Sequence, residues 1–122
     1  MKLILIAAEH EEMHRIIGSK VKELGHCALF SSSAELGLEF LKLNPEVSLL
    51  ITENNLADTS GKPLINSIRE DAALTKLPVI IVAQALKYSD ISELLEAGAT
   101  YFLSKPIKLA DLERYIKSLF PS

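Results

Sequence analysis

The 122-residue chain reads as a doubly wound α/β fold, with five parallel strands covered by helices on both faces. Three observations predict it. Short apolar runs alternate with amphipathic, helix-period segments along the whole length. Three of the runs are apolar almost throughout, as strands buried on both faces must be. Strict βα alternation also demands right-handed crossovers, which set helices on either side of one sheet.

In chain order, LILIA (3–7) is the first strand. Met13, Ile16/Ile17, Val21 and Leu24 then recur at helical spacing, and Gly25 follows where a positive φ is wanted. CALF (27–30) is the second strand, and segment 33–43 a weaker helix carrying Leu38, Phe40 and Leu41. VSLLI (47–51) precedes a helix over 63–71 with Leu64, Ile65 and Ile68. VIIVA (79–83) precedes the stripe Ile91, Leu94, Leu95, closed by Gly98. TYFL (100–103) leads to the last stripe, Leu109, Leu112, Ile116 and Leu119. No repeat, low-complexity tract or linker interrupts the pattern, so residues 1–122 are expected to form a single domain.

Composition narrows the function classes. Hydrophobic residues are 48% and charged residues 24%, which suits a packed core and argues against disorder. The net charge of −3 argues against a nucleic-acid-binding surface. Cys27, the only cysteine, has no disulfide partner in the chain, so a reducing, cytoplasmic setting is expected. The apolar runs are too short to span a bilayer. After Lys2 the first of them stops at Glu9–Glu12, unlike a signal peptide.

Ligands of open parallel sheets gather at the carboxyl ends of the strands. The residues there are Ala7–Glu9, Thr52–Asn55, Ala83–Gln84 and Ser104–Pro106. With their strands they form "KLILIAAE", "LLITENNLADTSG", "LPVIIVAQA" (77–85) and "LLEAGATYFLSKPIKLADL" (94–112). Over essentially the whole chain these segments resemble the receiver domain of bacterial two-component response regulators. The resemblance implies a flavodoxin-like (βα)5 topology with strand order 2-1-3-4-5.

It also implies roles, position by position. Counting back eight from Gly61 puts Glu53 at the place of the phosphoacceptor aspartate. Ala7 and Ala8 stand where the family carries an acidic pair. Ala83 takes the place of a Thr or Ser, and Phe102 that of the switch aromatic, commonly Tyr. Lys105 and Pro106 match the family's Lys–Pro pair, whose bond is typically cis. A working receiver holds Mg²⁺ with several oxygen ligands, and the metal's charge eases phosphoryl transfer to the carboxylate. Here two of those ligand positions are methyl groups, the acceptor is one methylene longer, and the hydroxyl is absent. No metal and no cofactor is expected, and Glu9, next to the alanines, is a weak substitute ligand. Asp58 and Thr52 are alternative acceptors on paper, although Asp58 reads as a solvated turn residue. A Glu53–Lys105 pair would remain, either imitating a phosphorylated aspartate or simply satisfying two charges and anchoring loops.

The stretch HEEMH (10–14) also matches H-E-x-x-H, with His10 and His14 as zinc ligands and Glu11 as base. A third ligand would have to come from elsewhere, and Glu35 has suitable spacing. In the receiver topology, however, the first and second helices lie on opposite faces of the sheet, which separates Glu35 from His14. Glu9, Glu11 and Glu12 then read as ordinary negative charge at a helix N-terminus. His26 shows no evident partner.

The expected function is that of a pseudo-receiver. It would be a signalling module, not an enzyme, acting through protein contacts without Mg²⁺-dependent aspartyl phosphorylation. The alternative is a receiver with residual phosphoryl-accepting or metal-binding activity in a phosphorelay. The resemblance points to the fourth helix, fifth strand and fifth helix as the contact surface, where Tyr88, Tyr101, Phe102 and Tyr115 lie. A histidine kinase, an output domain or a scaffold would be the partner, and a homodimer through this face is a further arrangement. Neither direct nucleic-acid binding nor membrane attachment is expected.

Overall fold

The computed structural model describes residues 1–84 and 87–121. The tail of the 77–85 segment, Ala85, lies outside the described residues. The elements are β1 (Leu3–Ala7), α1 (Glu11–Glu23), β2 (Cys27–Ser31), α2 (Ala34–Leu43), β3 (Val47–Glu53), α3 (Gly61–Glu70), β4 (Val79–Ala83), α4 (Tyr88–Ala97), β5 (Tyr101–Ser104) and α5 (Leu109–Leu119). The five strands form one parallel sheet in the order β2-β1-β3-β4-β5.

Alternation along each strand sends side chains to two cores. Ile4, Ile6, Leu49, Ile51, Ile80 and Val82 face α1 and α5, meeting Ile17, Val21, Leu112 and Ile116. Leu5, Ala7, Leu50, Val79 and Ile81 face α2, α3 and α4, meeting Leu41, Ile65, Ile68 and Leu94. Val47 joins the second group although it has the parity of the first. A bulge explains this: Leu3 pairs with Val47 but Ile4 with Leu49, so Ser48 is an extra residue that flips the face.

β3 runs two residues beyond the apolar pattern, taking in Thr52 and Glu53, both buried. Polar residues at a strand end break the hydrophobic signal while the backbone keeps its ladder partners, Ile81 and Val82 on β4. Gly25 and Gly98 both have positive φ, 87° and 121°. Gly98 is the residue immediately following α4. His26 does have partners: Nδ1 accepts from the Lys2 backbone N–H at 3.0 Å, and the ring meets Phe120 edge-on. Burial first, then the positive N-terminus and Lys2, push its pKa below the ordinary value. No helix among the described residues is long and apolar enough to cross a membrane.

Candidate functional site

The carboxyl end of the sheet brings five of the sequence-selected positions together, Ala7, Ala8, Glu53, Ala83 and Lys105. Ala7 pairs with Thr52, so Ala8, one residue on, stands level with Glu53. Glu53 itself pairs with Val82, one residue before Ala83. The backbone N–H of Lys105 donates to the Ala83 carbonyl at 2.9 Å, which brings the β5–α5 connection to the same place. The Lys105–Pro106 bond is cis.

Glu53 is the centre of this end. Its side chain is 5% exposed, against 28% for that of Lys105. One carboxylate oxygen, Oε2, is paired with the Lys105 ammonium. The other, Oε1, accepts the Glu9 backbone N–H at 3.1 Å. Glu9 thus reaches the crevice through its main chain, while its side chain is exposed. The neighbouring positions present only the buried methyl groups of Ala7, Ala8 and Ala83. This donor set does not suit Mg²⁺, which needs several oxygens in an octahedron. It offers the Glu53 carboxylate, both of whose oxygens are already engaged, and Glu12 in the adjoining cavity, fewer than three ligating side chains among the described residues.

Beside the pair lies a cavity of about 400 Å³ between the start of α1 and the β5–α5 connection. Met13, Ile16, Pro106 and Ile107 supply apolar walls, with His10 and Glu12 also lining it. Met13 and Ile16 belong to the α1 stripe predicted as core, but they are only half-buried because the cavity takes the place of a packing partner.

The β3–α3 loop locks the crevice from the other side. Asn54 Oδ1 accepts the Gly61 N–H at 3.2 Å, and a Cβ on residue 61 would come within 2.7 Å of that oxygen. A larger residue there would have to push the Asn54 amide aside and break that bond, which glycine avoids. Asp58 is more than a solvated turn residue. Its carboxylate accepts the Ala34 and Glu35 backbone N–H groups at 3.0 and 2.9 Å. Ser33 takes the next two, Leu36 N–H on Oγ and Gly37 N–H on its carbonyl. The three free donors of residues 34–36 are therefore capped, two of them from a distant loop, and the Gly37 bond begins the ordinary helical ladder.

The hydrogen bonds from Ala34 and Glu35 hold the Asp58 carboxyl below its ordinary pKa. A depressed pKa contributes stability that is present above the unfolded value of about 3.9 and lost as pH falls through the folded value. Asp58→Asn is expected to lower stability at neutral pH and to flatten the acid limb of a urea-midpoint-against-pH curve below about pH 4. Identical curves for the two proteins would show that the cap contributes nothing.

The four aromatic positions do not form one cluster. Tyr101 and Tyr115 stack with ring centroids 4.3 Å apart, and the Tyr101 hydroxyl is 3.0 Å from Ser118 Oγ. Arg114 lies over the Tyr115 ring at 5.3 Å. Phe102, adjacent to Tyr101 on the strand, faces the opposite side and packs on the α2–α4 core. Tyr88, at the start of α4, is 88% exposed. Strand periodicity separates Phe102 from Tyr101, which proximity in sequence conceals.

The response regulator receiver domain family model matches residues 4–117. This chain belongs to that family. A two-component response regulator of Oryza sativa subsp. indica is 34% identical over 89 residues, covering 73% of this chain and 60% of that protein. One from Arabidopsis thaliana is 32% identical over 104 residues, covering 85% and 54%. The chain therefore spans little more than half the length of these relatives. Among solved structures, a receiver protein from Pseudomonas putida superposes with a TM-score of 0.89 at 23% identity, covering 96% of both chains. A chemotaxis response regulator of Vibrio cholerae gives 0.90 at 14% identity, covering 98% of this chain and 99% of the other. At these identities the structural likeness establishes the fold.

In this receiver domain the HEEMH stretch is absorbed by the fold. His10 is the N-cap of α1, and Glu11 and Glu12 occupy its first turn. The His14 ring lies 5.1 Å from that of Phe30, and its Nε2 is 3.1 Å from the Ser31 carbonyl. α1 and α2 pack on opposite faces, which puts Glu35 across the sheet. Among the described residues, no three His, Cys, Asp or Glu side chains gather as a metal site. Sequence reasoning missed Asp58 as a cap and Arg69 as a clamp, described below. The signal for Asp58 was the Ser-Ser-Ser-Ala start of α2, whose first turn holds more free donors than Ser33 alone can satisfy.

Proposed function

We propose that this receiver domain transmits a signal through protein contacts and does not use Mg²⁺-dependent aspartyl phosphorylation. The observation that carries the reading is the state of Glu53, at the position of the family's phosphoacceptor. It is buried, paired with Lys105, bonded to the Glu9 N–H, and flanked by methyl groups where the family has acids. A carboxylate so engaged is a poor nucleophile and a poor metal ligand. Ala83 has no hydroxyl with which to draw toward a phosphoryl group, so the usual relay toward Phe102 lacks its first link.

On this reading the chain works as a binding module rather than an enzyme, with residues 1–122 acting as one receiver-like unit. The contact surface is the α4–β5–α5 face, where the Tyr101–Tyr115 stack and exposed Tyr88 and Leu95 offer rigid apolar area with polar tips. A histidine kinase, an output domain or a scaffold fits this surface, as does a second copy of the chain. The free, exposed Cys27 suits a reducing cytoplasm.

The test is a titration of the ¹⁵N-labelled domain with Mg²⁺, then with Mg²⁺ and beryllofluoride. At millimolar metal the expected result is no saturable shift at Glu53, Ala83 or Lys105. Saturable shifts spreading toward Phe102 would overturn the reading in favour of a remodelled, phosphoryl-accepting receiver.

A further inference from the structure

We propose that the cavity beside the Glu53–Lys105 pair is a binding site for a small uncharged molecule with an apolar body and a carbonyl acceptor. This rests on the metal-free reading of the same crevice, since a hydrated ion there would fill the mouth with ordered water.

Size, wall and floor each narrow the ligand. The cavity volume is about 400 Å³, the share of roughly 13 waters at about 30 Å³ each. A molecule of about a dozen heavy atoms fits such a space. Met13, Ile16 and Ile107 make the wall apolar, and water held against it gains little. The floor presents hydrogen-bond donors. The Lys105 ammonium has three N–H groups, and Glu53 is its only partner among the described residues. Glu53 offers less to a ligand, because both oxygens already have donors.

Charge decides the head group. Glu53 and Lys105 cancel, which leaves Glu12 as the uncompensated formal charge of the lining. A carboxylate ligand meets that negative charge on entry. An amine gains from Glu12 but finds no free acceptor at the floor, because both Glu53 oxygens already have donors. A neutral carbonyl accepts from Lys105 at neither cost. The site thus selects by polarity at the floor and by shape at the wall.

Three probes of one shape separate these chemistries: 4-phenylbutyramide, 4-phenylbutyrate and 4-phenylbutylamine, each added to the ¹⁵N-labelled chain. The amide is expected to saturate in the low millimolar range, as its size allows, with shifts at Met13, Ile16 and Ile107. The acid and the amine should each bind at least threefold more weakly. Glu12→Gln should bring the acid level with the amide. Ile16→Phe, which fills a half-exposed position and leaves the fold intact, should weaken all three at least fivefold. Shifts absent for every probe, an amine that equals the amide, or binding indifferent to Ile16→Phe would each overturn the proposal. Mg²⁺ titration without probe tests the metal-free reading alone, so the two failures are distinguishable.

Discussion

Lys105→Ala is expected to cost about 2–3 kcal/mol of unfolding free energy, because it strands a buried carboxylate. Glu53 is 5% exposed, and without Lys105 its charge retains a single hydrogen bond, from the Glu9 N–H. Fully buried pairs lose about 3–5 kcal/mol when one partner is removed. The lower figure applies here because the Lys105 side chain is 28% exposed and water enters with its loss. Glu53→Gln should be milder, about 1 kcal/mol, since the amide oxygen can still accept from either donor. Combined with Lys105→Ala it should recover part of the loss, giving a coupling energy of about 1–2 kcal/mol in a double-mutant cycle. Urea denaturation measures all four proteins. Additive losses would mean that the two side chains do not stabilise one another. The Glu53→Gln spectrum also bears on whether Glu53 imitates a phosphorylated aspartate. Shifts confined to residues around Ala8, Glu53 and Lys105 are expected, and changes at Phe102 would instead support mimicry.

Arg69→Ala should be comparably damaging, about 2–3 kcal/mol, for a different reason. The guanidinium closes the end of α3 against two other segments. Its Nε and Nη2 donate to the Gly98 carbonyl at 3.2 and 2.7 Å, and Nη1 donates to the Leu74 and Thr75 carbonyls at 3.3 and 2.9 Å. Truncation leaves three carbonyls without this donor and removes the alkyl stem from the packing. Burial lowers the pKa of Arg69, but guanidinium remains charged at any pH at which the fold persists. Arg69→Lys should recover less than half of the loss, because a single ammonium cannot span carbonyls on two segments. Gly98 is tied to the same clamp: its φ is 121°, and a Cβ there would fall 2.6 Å from Arg69 Nε. Hydrogen exchange should therefore report faster opening at Ala99, whose N–H closes α4 onto Leu94, in Arg69→Ala. Unchanged exchange there, with a urea midpoint near that of the parent, would show the clamp to be incidental.

Patterns of local period were sufficient to place the elements. Each apolar run became a strand within a residue or two, and each stripe a helix, because burial on both faces of a parallel sheet leaves little freedom in composition. The Lys–Pro pair and the glycine eight residues after Glu53 located the crevice for the same reason: each meets a backbone demand that few residues satisfy. The aromatic surface was only half legible. Tyr101 and Phe102 are neighbours in sequence, yet the pleat sends them to opposite cores.

The amino-acid sequence by itself determined the βα order, the two-sided core and the absence of a side-chain oxygen at Ala7 and Ala8. These depend on residue type and period, which are local. Tertiary structure alone decided that Glu9 contributes its backbone N–H rather than its carboxylate, that Asp58 caps α2 and that Arg69 joins α3 to the end of α4. It also decided that Met13 and Ile16 line a cavity, Met13 while still packing against the core. All four depend on contacts between segments about 20 to 90 residues apart. Such contacts leave no periodic trace, because a single hydrogen bond or an unfilled volume constrains only the residues that meet there.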